Sequence, residues 1–370
     1  MTGNGEGELQ QLVADRILGQ VDWLDSAERI TAIQVAAYVF EYVEHWSAED
    51  RKRYQTTAVE MELTADVVNP ATGRVSTIFD HGGKVDGMAI DLDTGDELVV
   101  EHKSTSDTLG PETLYWRRLA IDSQVSKYLL TLRQNGKHGV STCLYDVASK
   151  PKTKPKAISA ADVRRLAETG SYCGWSVPTD TLTAIEAEYE ANKGKSGGFT
   201  GKIHEADFLD LYGIRLRAAI RADPSSTFGR RRISRTDEEL KQYAAELWEV
   251  TAEIRKSRRS MVSPKNTGSC LKFGQQCEFF GLCTGKESIE AFEYVSSVHA
   301  ELDEDHGNGG RDLITNSRVG VFFDCREKHR LRYEVGIVRS NRDRSEALRW
   351  GTLFHDLLEV VWGSYRETNS

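Results

Sequence analysis

Asp86, Glu101 and Lys103 are the residues of this chain whose types and spacing could do chemistry. Residues 82–103 read Gly-Gly-Lys-Val-Asp-Gly-Met-Ala-Ile-Asp-Leu-Asp-Thr-Gly-Asp-Glu-Leu-Val-Val-Glu-His-Lys. The pattern predicts two antiparallel strands, Lys84–Asp91 and Glu97–Lys103, around an Asp93-Thr-Gly-Asp96 turn. Residues i and i+2 of a strand share a face, so Glu101 and Lys103 point the same way. Asp86, on the neighbouring strand, is within reach of that face. Two carboxylates so close repel and lose hydration. A divalent cation removes both costs, and hard oxygen ligands suit Mg²⁺ or Mn²⁺. Such an ion polarises a phosphoryl oxygen and lowers the pKa of bound water. Lys103 would then orient or deprotonate that water, or neutralise charge on a phosphate. Taken alone, the same residues also fit a solvated strand end.

The elements around this hairpin follow from periodicity. Residues 8–19 have helical spacing, and Ser26 can cap a second helix running to about Trp46 with Ile30, Ile33, Ala37, Phe40 and Val43 near one face. From Thr57 the pattern turns to strands: Val59, Met61, Leu63 and Ala65 alternate with polar residues. Glu60 or Glu62 on this strand is a candidate further carboxylate beside Asp86. Thr113–Gln134 is an expected helix with Leu114, Ile121, Val125, Tyr128, Leu129 and Leu132 as its apolar stripe. Gln124 and Tyr128, four apart, share a face of it. Arg117 and Arg118 on the same helix are candidates for nucleic-acid backbone. Val140–Val147 is a further strand, ended by Pro151 and Pro155 with interleaved lysines. The order is strand–strand–strand–helix–strand, an α/β core. Residues 157–262 read as mainly helical, with Ser159–Glu168, Asp180–Lys193 and Asp237–Arg258 as helices and a Gly/Lys-rich stretch over 194–203. Phe228–Arg235 is strand-like, and its Arg230, Arg231 and Arg232 are candidates to lie along a phosphate backbone.

A second constellation is made of thiols. Cys270, Cys277 and Cys283 are spaced x6 and x5 with Phe273, Phe279 and Phe280 among them, and three soft ligands need a fourth. Cys325 lies near the end, before Gly351-Thr-Leu-Phe-His355. Cys143 in a strand reads as a small buried apolar residue, and Cys173 as a spare thiol.

The Asp86…Glu101-x-Lys103 pattern resembles the active site of the PD-(D/E)xK nucleases. Gln124-Val-Ser-Lys-Tyr128 resembles the Gln-x-x-x-Tyr pair that follows it in RecB-like members, and the chain as a whole resembles the CRISPR-associated type among them. The cysteine trio is similar to the C-terminal cysteines of members that carry a 4Fe–4S cluster. In those the fourth cysteine and a Gly-x-x-x-His helix open the chain; here Cys325 and His355 come last, so the chain resembles a circularly permuted member. The wording around Tyr115-Trp116 and Glu101-His-Lys103 is similar to phage-encoded members.

The resemblance implies a restriction-endonuclease-like mixed sheet flanked by helices, with a helical, cysteine-braced lobe. It divides the chain into a helical segment 1–55, a nuclease core 56–156, a helical lobe 157–262, a cysteine loop 263–290, a linker 291–312 and a displaced segment 313–370. It implies Mg²⁺ or Mn²⁺ on His355, Asp86 and Glu101, with the His102 carbonyl as a further ligand. Lys103, Gln124 and Tyr128 would serve the reaction. Cys270, Cys277, Cys283 and Cys325 would hold a 4Fe–4S cluster, with Zn²⁺ as the alternative. The implied activity is exonucleolytic cleavage of single-stranded DNA, alongside recombination or replication partners; the alternative is a catalytically silent or zinc-stabilised binding module.

Composition bounds these readings. The chain has 370 residues, 39% apolar, with formal net charge −9. A negative total opposes phosphate binding, but basic residues are bunched and local fields steer ligands. No run is long enough to span a bilayer and the first residues lack signal-peptide order, so a cytoplasmic protein with no membrane partner is expected. No Gly-x-x-x-x-Gly-Lys-Ser/Thr occurs, which argues against an intrinsic helicase.

Overall fold

A computed structural model describes residues 26–192, 203–260, 262–294, 310–339 and 346–368. The expected helix over 8–19, the Gly/Lys-rich stretch up to 202 and most of the 291–312 linker lie outside the described residues. The frame is a six-stranded mixed sheet. Its strands are β1 (Tyr54–Val68), β2 (Val75–Asp91), β3 (Glu97–Thr105), β4 (Thr142–Ser149), β5 (Phe228–Ser234) and β6 (Asp312–Ile314). The first five lie in chain order, and β6 sits beside β2. Only β3–β4 and β2–β6 are parallel. The α-helix that β3 needs to return parallel as β4 is the one expected to carry Gln124 and Tyr128.

Strand parity sorts the core into two faces. Leu98 and Val100 of β3 turn to one side with Ala89, Leu144 and Phe228. Two helices cover them: α1 (Ser26–Arg53), through Val35, Val39 and Tyr42, and the last helix (Glu346–Thr368), through Phe354, Leu357, Val361 and Trp362. Val99 turns to the other side with Val85, Cys143, Tyr145 and Val147. There α2 (Ser123–Gln134) packs Val125, Tyr128, Leu129 and Leu132. Helices α3 (Leu209–Ala222) and α4 (Asp237–Ser260) flank the sheet, α5 (Asn316–Asp324) follows β6, and the last helix is α6.

The expected continuous helix Thr113–Gln134 is broken. A short turn Leu114–Arg117 runs into a 3₁₀ turn Arg118–Ile121, and α2 starts afresh behind Asp122. Asp122 is extended, and its carboxylate accepts from the Val125 N–H at 3.0 Å, so a cap outcompetes helix continuity. Leu114 and Ile121, expected in the apolar stripe, are consequently exposed (80% and 86%).

Arg230, expected along a phosphate backbone, is instead buried among acidic side chains. Its side chain is buried and bonds Asp146 at 2.8 Å and Asp50, while the Tyr42 hydroxyl donates to Asp146. This network holds α1 against β4 and β5. Arg232 is turned to Asp91, and Arg231 donates to the Pro111 carbonyl while stacked over Trp116. The arginine run is cross-strand glue because parity alternates its members between two already acidic or aromatic faces.

Candidate active site

The site forms where one long strand parts from its neighbour. Pairing of β2 with β3 covers Gly87–Ile90 against Val100–Glu97. The same edge of β2 pairs with β6 farther back, at Phe79–His81. Between the two ladders, residues 82–86 carry no strand on this edge among the described residues. Asp86 and Glu101 are the first residues beyond the split. The His102 N–H, freed there from the ladder, donates to Asp86 Oδ2 at 2.6 Å. Backbone separation and carboxylate placement therefore have one cause.

Glu101 and Lys103 point together, as parity requires. Glu101 is 1% exposed, and its Oε1 takes Lys103 Nζ and, at 2.9 Å, Gln124 Nε2. Its Oε2 has no hydrogen-bond partner among the described residues. Gln124 also donates to the Tyr128 hydroxyl at 2.6 Å, and that hydroxyl donates to the Lys84 carbonyl at 2.8 Å inside the split. Gly83 permits this approach: a Cβ there would meet the Tyr128 ring at 3.1 Å. The expected Gln/Tyr pair thus faces the Glu-x-Lys strand.

His355 arrives from α6. Its Nδ1 lies 3.6 Å from Asp86 Oδ2. Gly351, one turn earlier, allows α6 to close on β3, since a Cβ there would stand 3.1 Å from Ser104 Oγ. The His102 side chain turns to the opposite face, where its ring lies near Asp146 (3.6 Å) and Trp362. Any ligand role for His102 falls to its backbone.

The charges press on one another. Burial and the Asp86 charge push the Glu101 carboxyl up to about 8, against the pull of Lys103. Lys103 is driven the other way by burial, but Glu101 and Asp86 outweigh it and hold its ammonium above the ordinary range. Burial lowers His355 to about 4, leaving a neutral imidazole near pH 7.

Of the two extra carboxylates weighed, Glu60 comes to the site and Glu62 is exposed. Glu60 stands across β1–β2 from Asp86, ion-paired with Lys84, at a left-handed φ of 51°. Burial, Asp86 and Glu359 raise its pKa. Glu359 was not foreseen; its spacing of four from His355 on one helix was the available signal.

The donor types fit a hard cation: two carboxylates, one of them with an orphaned buried oxygen, and a neutral imidazole. As placed, no three His, Cys, Asp or Glu side chains among the described residues meet closely enough to hold an ion. The same holds at the cysteines, all of which are free thiols. They are nonetheless neighbours. The Asn266 N–H donates to Cys325 Sγ at 3.4 Å, and Cys277 N–H donates to the Cys270 carbonyl at 2.8 Å. Burial raises the Cys283 thiol, Lys265 opposes it, and Glu327, Cys277 and Cys325 add to it. Cys143 is buried in the core and Cys173 is exposed, away from the loop's contacts.

A family model for the PD-(D/E)XK nuclease superfamily matches residues 6–284. The chain belongs to that superfamily. The match takes in Asp86, Glu101, Lys103 and the cysteine trio of the nuclease, while Cys325 and His355 lie beyond it. No curated protein and no solved structure matches the chain. The mixed sheet flanked by helices is consistent with the nuclease fold. Among the described residues, no helix is long and apolar enough to cross a membrane.

Proposed function

We propose that this nuclease is a metal-dependent deoxyribonuclease of RecB-like kind, acting as an exonuclease on single-stranded DNA ends. The observation that carries the reading is Glu101: a buried carboxylate with one oxygen held by Lys103 and Gln124 and the other without a donor. His355, Asp86 and Glu101 would hold Mg²⁺ or Mn²⁺, with the His102 carbonyl as a further ligand. When bound, the ion lowers the pKa of its water and offsets charge on the phosphate. Asp86, fixed by the His102 N–H, and Glu101, fixed by Gln124, keep their donor oxygens preorganised. Lys103 is held as an ammonium, so it donates hydrogen bonds and does not take a proton. That favours orienting water and neutralising a phosphate oxygen over acting as the base. Tyr128 fixes Gln124 and, through the Lys84 carbonyl, the open part of β2.

In this reading Cys270, Cys277, Cys283 and Cys325 hold a structural 4Fe–4S cluster, or Zn²⁺, that staples segment 313–370 to the cysteine loop 263–290. The core 56–156 carries the chemistry and the helical lobe 157–262 braces it. The displaced segment supplies His355 in a circularly permuted order, and the protein is a phage-like member. The protein works in the cytoplasm, alongside recombination or replication partners. The alternative is a catalytically silent or zinc-stabilised nucleic-acid-binding module.

Cleavage of end-labelled single-stranded DNA with Mg²⁺ or Mn²⁺ tests the assignment. Products shortened from the ends are expected, with none in the absence of a divalent ion. Lys103→Ala should lose at least about 10²-fold in rate while keeping wild-type melting and metal uptake. Full activity in that variant refutes the role given to Lys103. Binding without cleavage under every ion selects the silent module.

A further inference from the structure

A second basic site adjoins the one described, on the His355 side. A cavity of about 420 Å³ is lined by Gln34, Ser106, Lys150, Lys152, Lys154 and Trp350, among others. It begins where β3 ends: Ser106 lies three residues past Lys103, about 10 Å along an extended chain. The Lys150 N–H donates to the Thr105 carbonyl at 2.7 Å, and the Lys150 ammonium lies over the Trp350 ring. Trp350 is 2% exposed, and its indole N–H has no acceptor among the described residues.

Lysines on a surface loop usually wave in solvent, but this loop is fixed. Pro151 and Pro155 restrict its backbone. The Tyr212 hydroxyl donates to the Thr153 carbonyl at 2.7 Å and accepts from Gln34 at 2.9 Å. Arg215 donates to the Lys154 carbonyl at 3.0 Å. Glu205, fully buried and paired with Arg215, takes the Lys156 N–H at 2.9 Å. Buried residues of the helical lobe thus hold the loop's main chain from behind. The side chains of Lys152 and Lys154 are left exposed at the rim of the cavity. Lys150, Lys152 and Lys154 line one cavity, so an anion there would be attracted by three like charges.

We propose that this cavity is a phosphate subsite: it binds a phosphate of the nucleic acid next to the one being cut, independently of base sequence. The inference rests on the nucleic-acid substrate assigned above. The phosphate is either internal to the strand or terminal.

Binding of an internally labelled single strand of about 20 nucleotides, in EDTA and over a salt series, tests it. Strands ending in phosphate or in hydroxyl form the two arms. The double variant Lys152→Gln/Lys154→Gln should bind about five- to tenfold more weakly. The slope of log K against log salt should shrink by about 1.4, since each single-strand phosphate contact contributes about 0.7. Lys241→Gln, an exposed lysine on α4, should match wild type. A loss equal in both arms assigns an internal phosphate, and a loss confined to phosphorylated ends assigns a terminal one. Wild-type affinity and slope in the double variant overturn the subsite and leave the nuclease reading standing. A wild-type protein that binds neither strand overturns both.

Discussion

Glu101 sits in a place that does not suit a carboxylate without an ion. Its folded pKa of about 8 exceeds the ordinary value, so the folded protein keeps a proton that the unfolded chain sheds. This group's contribution to stability is full below the ordinary carboxylate range and fades as pH rises through about 8. Cation binding must expel that proton. Affinity for Mn²⁺ should therefore rise by up to about tenfold per pH unit between pH 6 and 8, with about one proton released near pH 7. Titration calorimetry in buffers of different ionisation enthalpy reads the proton directly; uptake with none released would contradict the donor role. Asp86, Glu101 and Lys103 could be placed together from strand parity and Gln124 with Tyr128 from the i, i+4 rule, while joining the two sets rested on the family resemblance. Glu60 could not be separated from Glu62 that way. Residues two apart share a face in a regular strand, and what parts them here is the left-handed turn of β1 at Glu60.

Among the elements, β6 is held by buried cations, Arg318 on Asp312 and the Leu313 carbonyl, and Lys127. Lys127 of α2 is 1% exposed and donates to the Ile314 carbonyl at 2.9 Å. Burial pushes it down to about 7 from an ordinary 10.5. Between those values the unfolded chain holds a proton that the folded protein lacks, so stability climbs with pH across that window. Lys127→Met should flatten this climb, measured as urea unfolding free energies at pH 7 and pH 9. A wild-type slope in the variant would mean that the ammonium is not forced out of its charge. The strand order and the helix behind Asp122 were legible as periodicity. The break at Asp122 was not, since a cap and a helical residue are both compatible with Asp until packing chooses. The short β6, three residues long, carries too little pattern to be seen without its partner.

At the scale of the molecule, the cysteine loop and α5 are fastened by hydrogen bonds from Asn266 and Ser269 to the Asp324 carbonyl, 2.8 Å each. If the four thiols share a cluster, Cys325→Ala should cost the anaerobically purified protein most of its iron and lower its melting temperature. Metal analysis with a visible spectrum checks this, and unchanged iron would remove Cys325 from the ligand set. That Cys325 belongs with the loop was expected from the family resemblance, whereas the fastening contacts were not, because their acceptor is a main-chain carbonyl whose residue type says nothing. The two ladders on one edge of β2 have a further consequence, for synthesis. The ribosome releases Asp86, Glu101 and Lys103 early, but the strand that completes the β2 edge comes from residues 312–314 and the imidazole from residue 355. Roughly 250 residues separate Lys103 from His355, tens of seconds at about 5–20 residues per second. If His355 holds the ion as proposed, a chain still being translated would carry the carboxylates and the lysine without the histidine, and would gain activity only once the last helix emerges.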